Sequence, residues 1–421
     1  MLRICRPVLA LAMSVPVSAQ APADTMRLTL PQSRVLAFRA NPELIAARQD
    51  IAVARGELRQ ARLIFQANPS VEIFADGASG NGTEAVFSQE VEIFGQQSAR
   101  SAAGRAGVER ASAGAANTAR LTVGESDRLF YRLIAAARRA KLAGEVLDLS
   151  QRLTDVVRRQ LEAGEVSGID FNLATVELGR SQARALAARR DRDRVMLDLA
   201  RILGMPPETF IIPVWDSTAR APSGGDVRLN VDSLTVLALA RRPDIAEREA
   251  AARQASGKAS AAAREALPNL SLRVLSERNA AGTERSIRPG FGLTVPLFNR
   301  NRGTVEALRA LAHQADLERA ALVSRVRAGV ARAVRDYETA VAGWTILEHS
   351  VLPSARKNRR LLETAYREGE VGLPVLLLIR NQVVEAELEY WGAWLAAREA
   401  LADLAETTGE NLPSNVLENR P

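Results

Sequence analysis

Apolar residues follow two rhythms along this chain. From Pro31 to Gln66, Leu36, Ile45, Ile51, Leu58 and Leu63 recur among polar residues, which predicts a helix over 31–66 that Asn68-Pro69 breaks. Residues 70–76 switch to period two. Val71, Ile73 and Ala75 share one face, Ser70, Glu72 and Asp76 the other, and Phe74 is the exception. Gly77-Ala78-Ser79-Gly80-Asn81-Gly82 is turn chemistry. Residues 85–93 alternate again, with Ala85, Phe87, Val91 and Ile93 opposing Val86, Ser88, Glu90 and Glu92. The two runs predict a hairpin with one mainly apolar and one mainly polar face. Farther on, Leu270, Leu272 and Val274 alternate with Ser271 and Arg273. After a polar turn near Asn279 to Thr283, Ile287, Pro289, Phe291, Leu293, Val295 and Leu297 share one parity, and Arg288, Gly290, Gly292 and Thr294 take the other. Pro289 and Pro296 belong near strand ends or at bulges.

Helical spacing follows each hairpin. Leu142, Val146, Leu149, Leu153 and Val156 form one narrow seam, and Val326, Val330, Val334, Tyr337, Val341 and Trp344 another, at coiled-coil spacing. The stretches 97–162 and 304–352 contain no proline. A continuous helix of roughly 65 residues would be about 100 Å long. Gly164 and Gly369 end these runs, and helices resume over about 168–203 and 374–408. Trp344, Trp391 and Trp394 fall on predicted helices and read as seam packing.

The order of elements repeats. Gly164-Glu165-Val166 returns as Gly369-Glu370-Val371, Pro42 as Pro243, Pro69 as Pro268, and Ile93-Phe94 as Leu297-Phe298, at offsets of 205, 201, 199 and 204 residues. Two copies of one unit are too few for a solenoid and suit a symmetric wall. The expected organisation is therefore a first repeat over 20–203, a connector over 204–232 rich in Pro and Gly, a second repeat over 233–408, and an irregular tail over 409–421. Connector and tail are expected to pack around the waist of the helices.

The first residues read as a secretory leader. Arg3 and Arg6 precede a short apolar run from Val8 to Val17, and Val17-Ser18-Ala19 offers a small-x-small cleavage site, which places the leader at 1–19. Cys5, the single cysteine, lies ahead of the apolar run, where it could not carry a lipid anchor, and its removal leaves no thiol for a disulfide or metal site. No later run approaches 18 apolar residues, so no transmembrane helix is expected. The chain is basic, with 56 Lys+Arg against 49 Asp+Glu, but the charges are mixed along helices, as in Arg189-Arg190-Asp191-Arg192-Asp193-Arg194. Such a run reads as a solvated helix face, and export argues against nucleic acid as a partner.

Strands of about 9–11 residues with alternating faces suit a tilted crossing of a bilayer, with lipid on one side and water on the other. An antiparallel sheet on a soluble core alternates in the same way. Four strands cannot close a membrane barrel, because open edges are not tolerated in lipid. A barrel must then be shared: two copies supply eight strands and a filled interior, three supply twelve and room for a pore. The fold class expected is mainly α with a small β part.

Arg241-Arg242-Pro243-Asp244-Ile245, Leu267-Pro268-Asn269-Leu270 and the two Gly-Glu-Val turns, the first continuing as Ser167-Gly168-Ile169-Asp170, resemble the outer-membrane efflux channels of the TolC family over nearly the whole mature chain. Ser88-Gln89-Glu90-Val91-Glu92-Ile93-Phe94-Gly95 and Pro296-Leu297-Phe298-Asn299-Arg300-Asn301-Arg302-Gly303 are similar to the cobalt–zinc–cadmium resistance branch. The resemblance implies a homotrimer in outer-membrane lipid, with four strands per chain forming a 12-stranded β-barrel continued by an α-helical barrel into the periplasm. It implies a periplasmic adaptor (a membrane fusion protein) and an inner-membrane resistance–nodulation–division pump as partners, and divalent metal ions as cargo. Exit ducts for drugs or other toxic compounds share the same plan, and a secreted helical structural protein is the reading from a different class.

By that resemblance the hairpin tips Gly164, Glu165, Val166, Gly369, Glu370 and Val371 meet the adaptor. Asp170, just past the first tip, is a candidate pore constriction, because three copies would form a carboxylate ring that favours cations. As a helix-start acid it is also explained by the helix dipole. Some family members carry acids after the second tip, where this chain has Val375 and Leu378, so an apolar constriction is the alternative there. His313 and His349 lie about ten helical turns apart and do not pair within one helix. With no mature cysteine, no metal site or cofactor is expected, and selection of cargo falls to pump and adaptor. No phosphate loop, nucleophile–base constellation or catalytic carboxylate pair is legible, so the chain reads as a passive conduit rather than an enzyme.

Overall fold

The computed structural model describes residues 25–75, 83–215, 229–278, 285–295 and 297–410. The leader with Cys5, the two turns at 77–82 and 279–283, Pro222, Gly224-Gly225, Pro296 and the tail from 411 lie outside the described residues. The elements in order are β1 (Thr25–Leu28), α1 (Leu30–Ala40), α2 (Pro42–Ala61), β2 (Ser70–Ala75), β3 (Thr83–Val91), α3 (Gln96–Glu162) and α4 (Gly168–Ile202). Then follow β4 (Phe210–Pro213), α5 (Val231–Arg241), α6 (Pro243–Glu265), β5 (Leu270–Arg278), β6 (Arg285–Leu293), α7 (Arg302–Ile346), a π-helical turn (Leu347–Val351), α8 (Leu352–Arg367) and α9 (Leu373–Thr408). The 67 residues of α3 make a rod of about 100 Å. Among the described residues no helix is long and apolar enough to cross a membrane.

The helix expected over 31–66 is two helices. Asn41, extended at φ −63° and ψ 124°, precedes Pro42, whose ring disfavours helical geometry in the residue before it. Asn41 turns the break into a joint: its Oδ1 accepts from Leu44 N at 2.9 Å, and its Nδ2 donates to the Ile202 carbonyl at 3.0 Å. Arg242 before Pro243 repeats the conformation, at φ −69° and ψ 123°. The buried face here is Ser33, Ala37, Leu44 and Ala54, while Ile45 and Leu63 are exposed. Pro353, just past the expected limit of the second long run, does not stop its helix. The path continues through the π-helical turn into α8, with Pro353 in the first turn of α8, where its missing N–H is tolerated.

The four long strands form one antiparallel sheet in the order β2-β3-β5-β6. β3 spans 83–91 rather than 85–93, and β6 stops at Leu293, short of Val295 and Leu297. Register fixes two faces. Val71, Phe87, Val274 and Pro289 lie in one row, with Ile73, Ala85, Ser276 and Ile287 in the next row of the same face. Ser70, Ser88, Arg273 and Gly290 form a row of the opposite face, followed by Glu72, Val86, Leu275 and Arg288. Asn269 ties the sheet to the helices: it accepts from Gln96 Nε2 and donates to Glu90 Oε1, at 2.9 and 2.8 Å.

The segment 204–232, expected to be irregular, contains β4, which pairs in parallel with β1 from Thr25↔Phe210 to Leu28↔Pro213. Period-two reading misses a four-residue strand whose partner is nearly 190 residues away. Ile211 is buried in the main core with Leu28, Ala37, Phe130, Leu133, Leu199, Leu203 and Trp394, and Trp215 packs at its margin. Trp215 and Trp394 meet edge-to-face at 5.2 Å, with the Arg398 guanidinium 4.7 Å over Trp215.

Elsewhere the helices meet through small side chains. Ala99, Ala103, Ala106 and Gly107 of α3 and Ala250, Ala259, Ala261 and Ala262 of α6 are buried. A Cβ on Gly257 would lie 2.9 Å from Ala103 Cα. The seam expected through Leu149, Leu153 and Val156 is rotated: Leu149 and Val156 are exposed, and the buried line below Val146 runs through Ser150, Thr154 and Val157. Hydroxyls fit there because they are bonded, Thr154 Oγ1 donating to Ser150 O at 2.9 Å. The second seam is as expected, with Val326, Val330, Val334 and Val341 buried.

Ion pairs join α3 to α9. Arg128 binds Glu125, Asp403 and Glu406, and Arg132 binds Glu399. The Arg242-Pro243-Asp244 motif clasps the end of α9. Arg242 pairs with Asp244 through two bonds of 3.0 and 2.6 Å and donates to the Thr407 carbonyl at 3.2 Å. Burial pushes the Asp244 carboxyl up, but its bond to Arg242 and the charges of Arg242 and Arg120 outweigh this and hold it below 3.8.

Two outcomes follow. Gly→Ala in an open helix gains about 1 kcal/mol, whereas Gly257→Ala should lower stability by about 1–3 kcal/mol through overpacking, read as a reduced unfolding midpoint in detergent. Asp244→Asn should cost about 1–3 kcal/mol at neutral pH. A depressed carboxyl stabilises above its unfolded value and loses that contribution as pH falls through its folded one, so a pH series should show wild type and variant converging only below about 3.8.

Candidate functional site at the helix-hairpin tips

Each tip is built by the same backbone device. At the end of α3, Gly164 takes φ +74°, Glu165 N donates to Gln160 O at 2.8 Å and Gly164 N to Leu161 O at 3.0 Å. At the end of α8, Gly369 takes φ +75°, Glu370 N donates to Ala365 O at 2.9 Å and Gly369 N to Tyr366 O at 3.2 Å. This paired bonding satisfies the last helix carbonyls and needs a residue free to adopt left-handed geometry. A Cβ would meet nothing within 4 Å at either glycine, so the constraint is the dihedral alone.

The returns differ. Ser167 caps α4 and forms a closed box with Asp170: Asp170 N donates to Ser167 Oγ at 3.2 Å, and Ser167 N and Oγ donate to Asp170 Oδ2 at 3.2 and 2.7 Å. Gly372 caps α9 without a side chain, and Pro374 follows in the first turn. Beneath the tips Val157, Ala174, Leu373 and Leu377 are buried together, with Val166 and Phe171 packed against them. The two hairpins therefore share one apolar floor.

Of the residues singled out from sequence, Gly164, Glu165, Gly369 and Glu370 are exposed, Val166 and Val371 half-buried. Val375 and Leu378 are exposed on α9. Asp170 is half-buried in its capping box, and its charge reaches the second hairpin, since the Tyr366 hydroxyl is pushed up by burial and then by Asp170. His313 is exposed, and His349 Nδ1 lies 3.0 Å from the Thr345 carbonyl.

Above the floor is a buried polar network. Arg380 of α9 donates to Glu177 Oε1 of α4 at 2.7 Å and to Ser150 Oγ of α3 at 3.0 Å, and Ser150 shares a bond of 3.0 Å with Ser181. Arg380 and Glu177 side chains are 6% and 7% exposed, which makes this pair a desolvated cross-brace rather than a surface contact. Burial lowers the Arg380 pKa, against the pull of Glu177. Arg380 Nε is buried with no partner among the described residues.

The whole arrangement, a four-stranded sheet set on long antiparallel helices that end in two glycine tips, matches solved structures. The Campylobacter jejuni CmeC outer membrane channel superposes with a TM-score of 0.78 at 15% identity, over 93% of this chain and 88% of that one. This chain has the TolC-type outer-membrane channel fold. In sequence the chain is 24% identical to the cobalt-zinc-cadmium resistance protein CzcC of Cupriavidus metallidurans, over 87% of its own length and 86% of CzcC. It is 26% identical to the pyoverdine export outer membrane protein OpmQ of Pseudomonas putida, over 63% of this chain and 57% of OpmQ. No protein-family model matches it.

Period reading of the sequence missed Ser150, Glu177 and Arg380. A signal existed for one of them, since Arg380 interrupts the apolar run Leu373-Pro374-Val375-Leu376-Leu377-Leu378-Ile379. Its partners are ordinary helix residues until the packing is known. Arg380→Met should cost about 3–5 kcal/mol by leaving buried Glu177 with only the largely exposed Arg184, 3.7 Å away, as a partner, while Glu177→Leu with Arg380→Met should recover most of it. Chemical unfolding of the single and double variants reads the difference.

Proposed function

We propose that the chain is the outer-membrane component of a tripartite efflux system, a passive exit duct for divalent heavy-metal ions. The four-stranded sheet carries this reading. One face presents Val71, Ile73, Phe87, Leu272, Val274, Ile287, Phe291 and Leu293, apolar and largely exposed in the single chain, as lipid would require. The edges β2 and β6 have no outer partner among the described residues, and edges are not tolerated in lipid. Three copies joined edge to edge give twelve strands and an open lumen. The repeats 20–203 and 233–408, joined by 204–232, then alternate around the wall.

The lumen face supports a cation path. It carries Glu72, Glu84, Glu90 and Glu277 against Arg273 and Arg288, with Arg288 already paired to Glu277 at 2.5 Å. Acidic rings favour cations. The likeness to CzcC over most of both chains supports metal cargo, and the OpmQ likeness supports the second reading, a duct for other small compounds. On this reading Glu165, Val166, Glu370 and Val371 meet a periplasmic adaptor, Asp170 or the apolar pair Val375 and Leu378 narrows the lower end, and an inner-membrane resistance–nodulation–division pump supplies the energy and chooses the ion.

A deletion strain should become sensitive to zinc, cobalt or cadmium and retain the metal, with little change toward drugs. Drug sensitivity without metal retention would keep the duct and discard the metal. Gly164→Pro or Gly369→Pro should leave an SDS-resistant trimer in the membrane but weaken efflux; normal efflux would count against the tips as the docking site.

A further inference from the structure

The lipid-facing side of the sheet is uncharged along nearly its whole height. Among its described residues on β2, β3, β5 and β6 the charged ones are Arg278 and Arg285, and register sets them directly opposite each other. Like charges directly opposite on one sheet face repel. The carboxylates nearest in register, Glu277 and Glu84, belong to the lumen face, and Glu277 is held there by Arg288. Arg285 Nε donates to Ser276 Oγ at 3.1 Å. The Arg278 side chain has no ion pair or hydrogen bond among the described residues, and both arginine side chains are exposed.

Height decides what faces them. The row Leu270↔Leu293 is at the helical end of the sheet, and Arg278↔Arg285 is eight residues farther along each strand. That is about 26 Å at about 3.3 Å per residue, or about 20 Å along the bilayer normal at a tilt of about 40°. An apolar band is about 25 Å tall, which leaves the backbone of the pair about 5 Å short of its far edge, a gap that a long arginine side chain crosses by extending its guanidinium toward the headgroups of the leaflet away from the helices. In a periplasmic-helix orientation that is the outer leaflet. Arginine matches phosphate with a planar fork of donors and is weakly hydrated enough to sit at such a boundary.

Resting on the outer-membrane reading above, we propose that Arg278 and Arg285 form a clamp for a phosphorylated glycolipid headgroup of the outer leaflet, three clamps to a trimer. The phosphate stands between the two guanidiniums, relieves their repulsion, and fixes the height of the barrel against lipid. The acyl chains lie along the apolar rows below, past Ile287, Val274 and Phe291.

The test compares the wild-type trimer with Arg278→Ala/Arg285→Ala and with Arg278→Lys/Arg285→Lys, in vesicles of phosphatidylcholine containing bis-phosphorylated lipid A or its dephosphorylated form. Retained glycolipid is read by native mass spectrometry after detergent extraction. Wild type should retain the phosphorylated lipid at least tenfold more than the dephosphorylated one. The alanine pair should lose that preference while remaining an SDS-resistant, conducting trimer, and the lysine pair should keep most of it. Equal retention of the two lipids by wild type overturns the clamp without touching the channel, and needs no variant to fold. Displacement of the lipid by excess inorganic phosphate would make this a free-anion site and overturn the lipid assignment. A wild-type chain that forms no trimer in either vesicle overturns the outer-membrane reading itself, and the clamp with it.

Discussion

A helix of 67 residues whose buried side chains run from Gln96 to Val157 must be covered along its whole length. That constraint organises the molecule around α3. Its upper part is covered by α2 and α6, its middle by α1 and α9, and its lower part by α4. Each cover solves the problem differently. Against α6 the side chains shrink to alanine and glycine so that backbones approach closely. At the waist, large apolar and aromatic residues from α1, α4, α9 and the two short strands converge on Phe130 and Leu133. Near the tip the contact becomes polar, with Ser150 and Thr154 in place of leucines.

The sheet has one mainly apolar face, with Ser276, Arg278 and Arg285 among the exceptions, and one mainly polar face, with Phe74, Val86 and Leu275 as exceptions, so parity separates most of the two sets. The helices carry charge on most outward positions, and ion pairs such as Arg128 with Glu406 run along the α3–α9 contact. The Arg380–Glu177 brace lies deepest, where charge is most expensive to bury. Its placement directly above the shared apolar floor locks three helices at one height, so the two tips are positioned relative to each other by a contact neither tip contains.

Much of this is readable from residue order. The strands, the glycine stops and the second seam follow from period two, left-handed geometry and coiled-coil spacing, each a local property. The Asn41-Pro42 joint was also there to read, since proline restricts the residue before it. What resisted reading is what depends on distant partners. β4 is four residues that mean nothing until β1 lies beside them. Leu149 and Val156 looked like core, but serine and threonine hydroxyls with carbonyls in reach allow a closer approach than leucine does. The tip residues were legible as a turn, while the brace above them was legible only as an arginine in an apolar run.

The tips are shaped by backbone hydrogen bonds and two glycines, and their outermost side chains carry none of that work. Glu165 and Glu370 project from a frame that does not depend on their identity. Such a frame lets point changes accumulate at these exposed positions without a folding penalty. A lineage could thus change what the tips present while the long rods, the sheet and the waist stay as they are, and the two tips of one chain are free to diverge from each other.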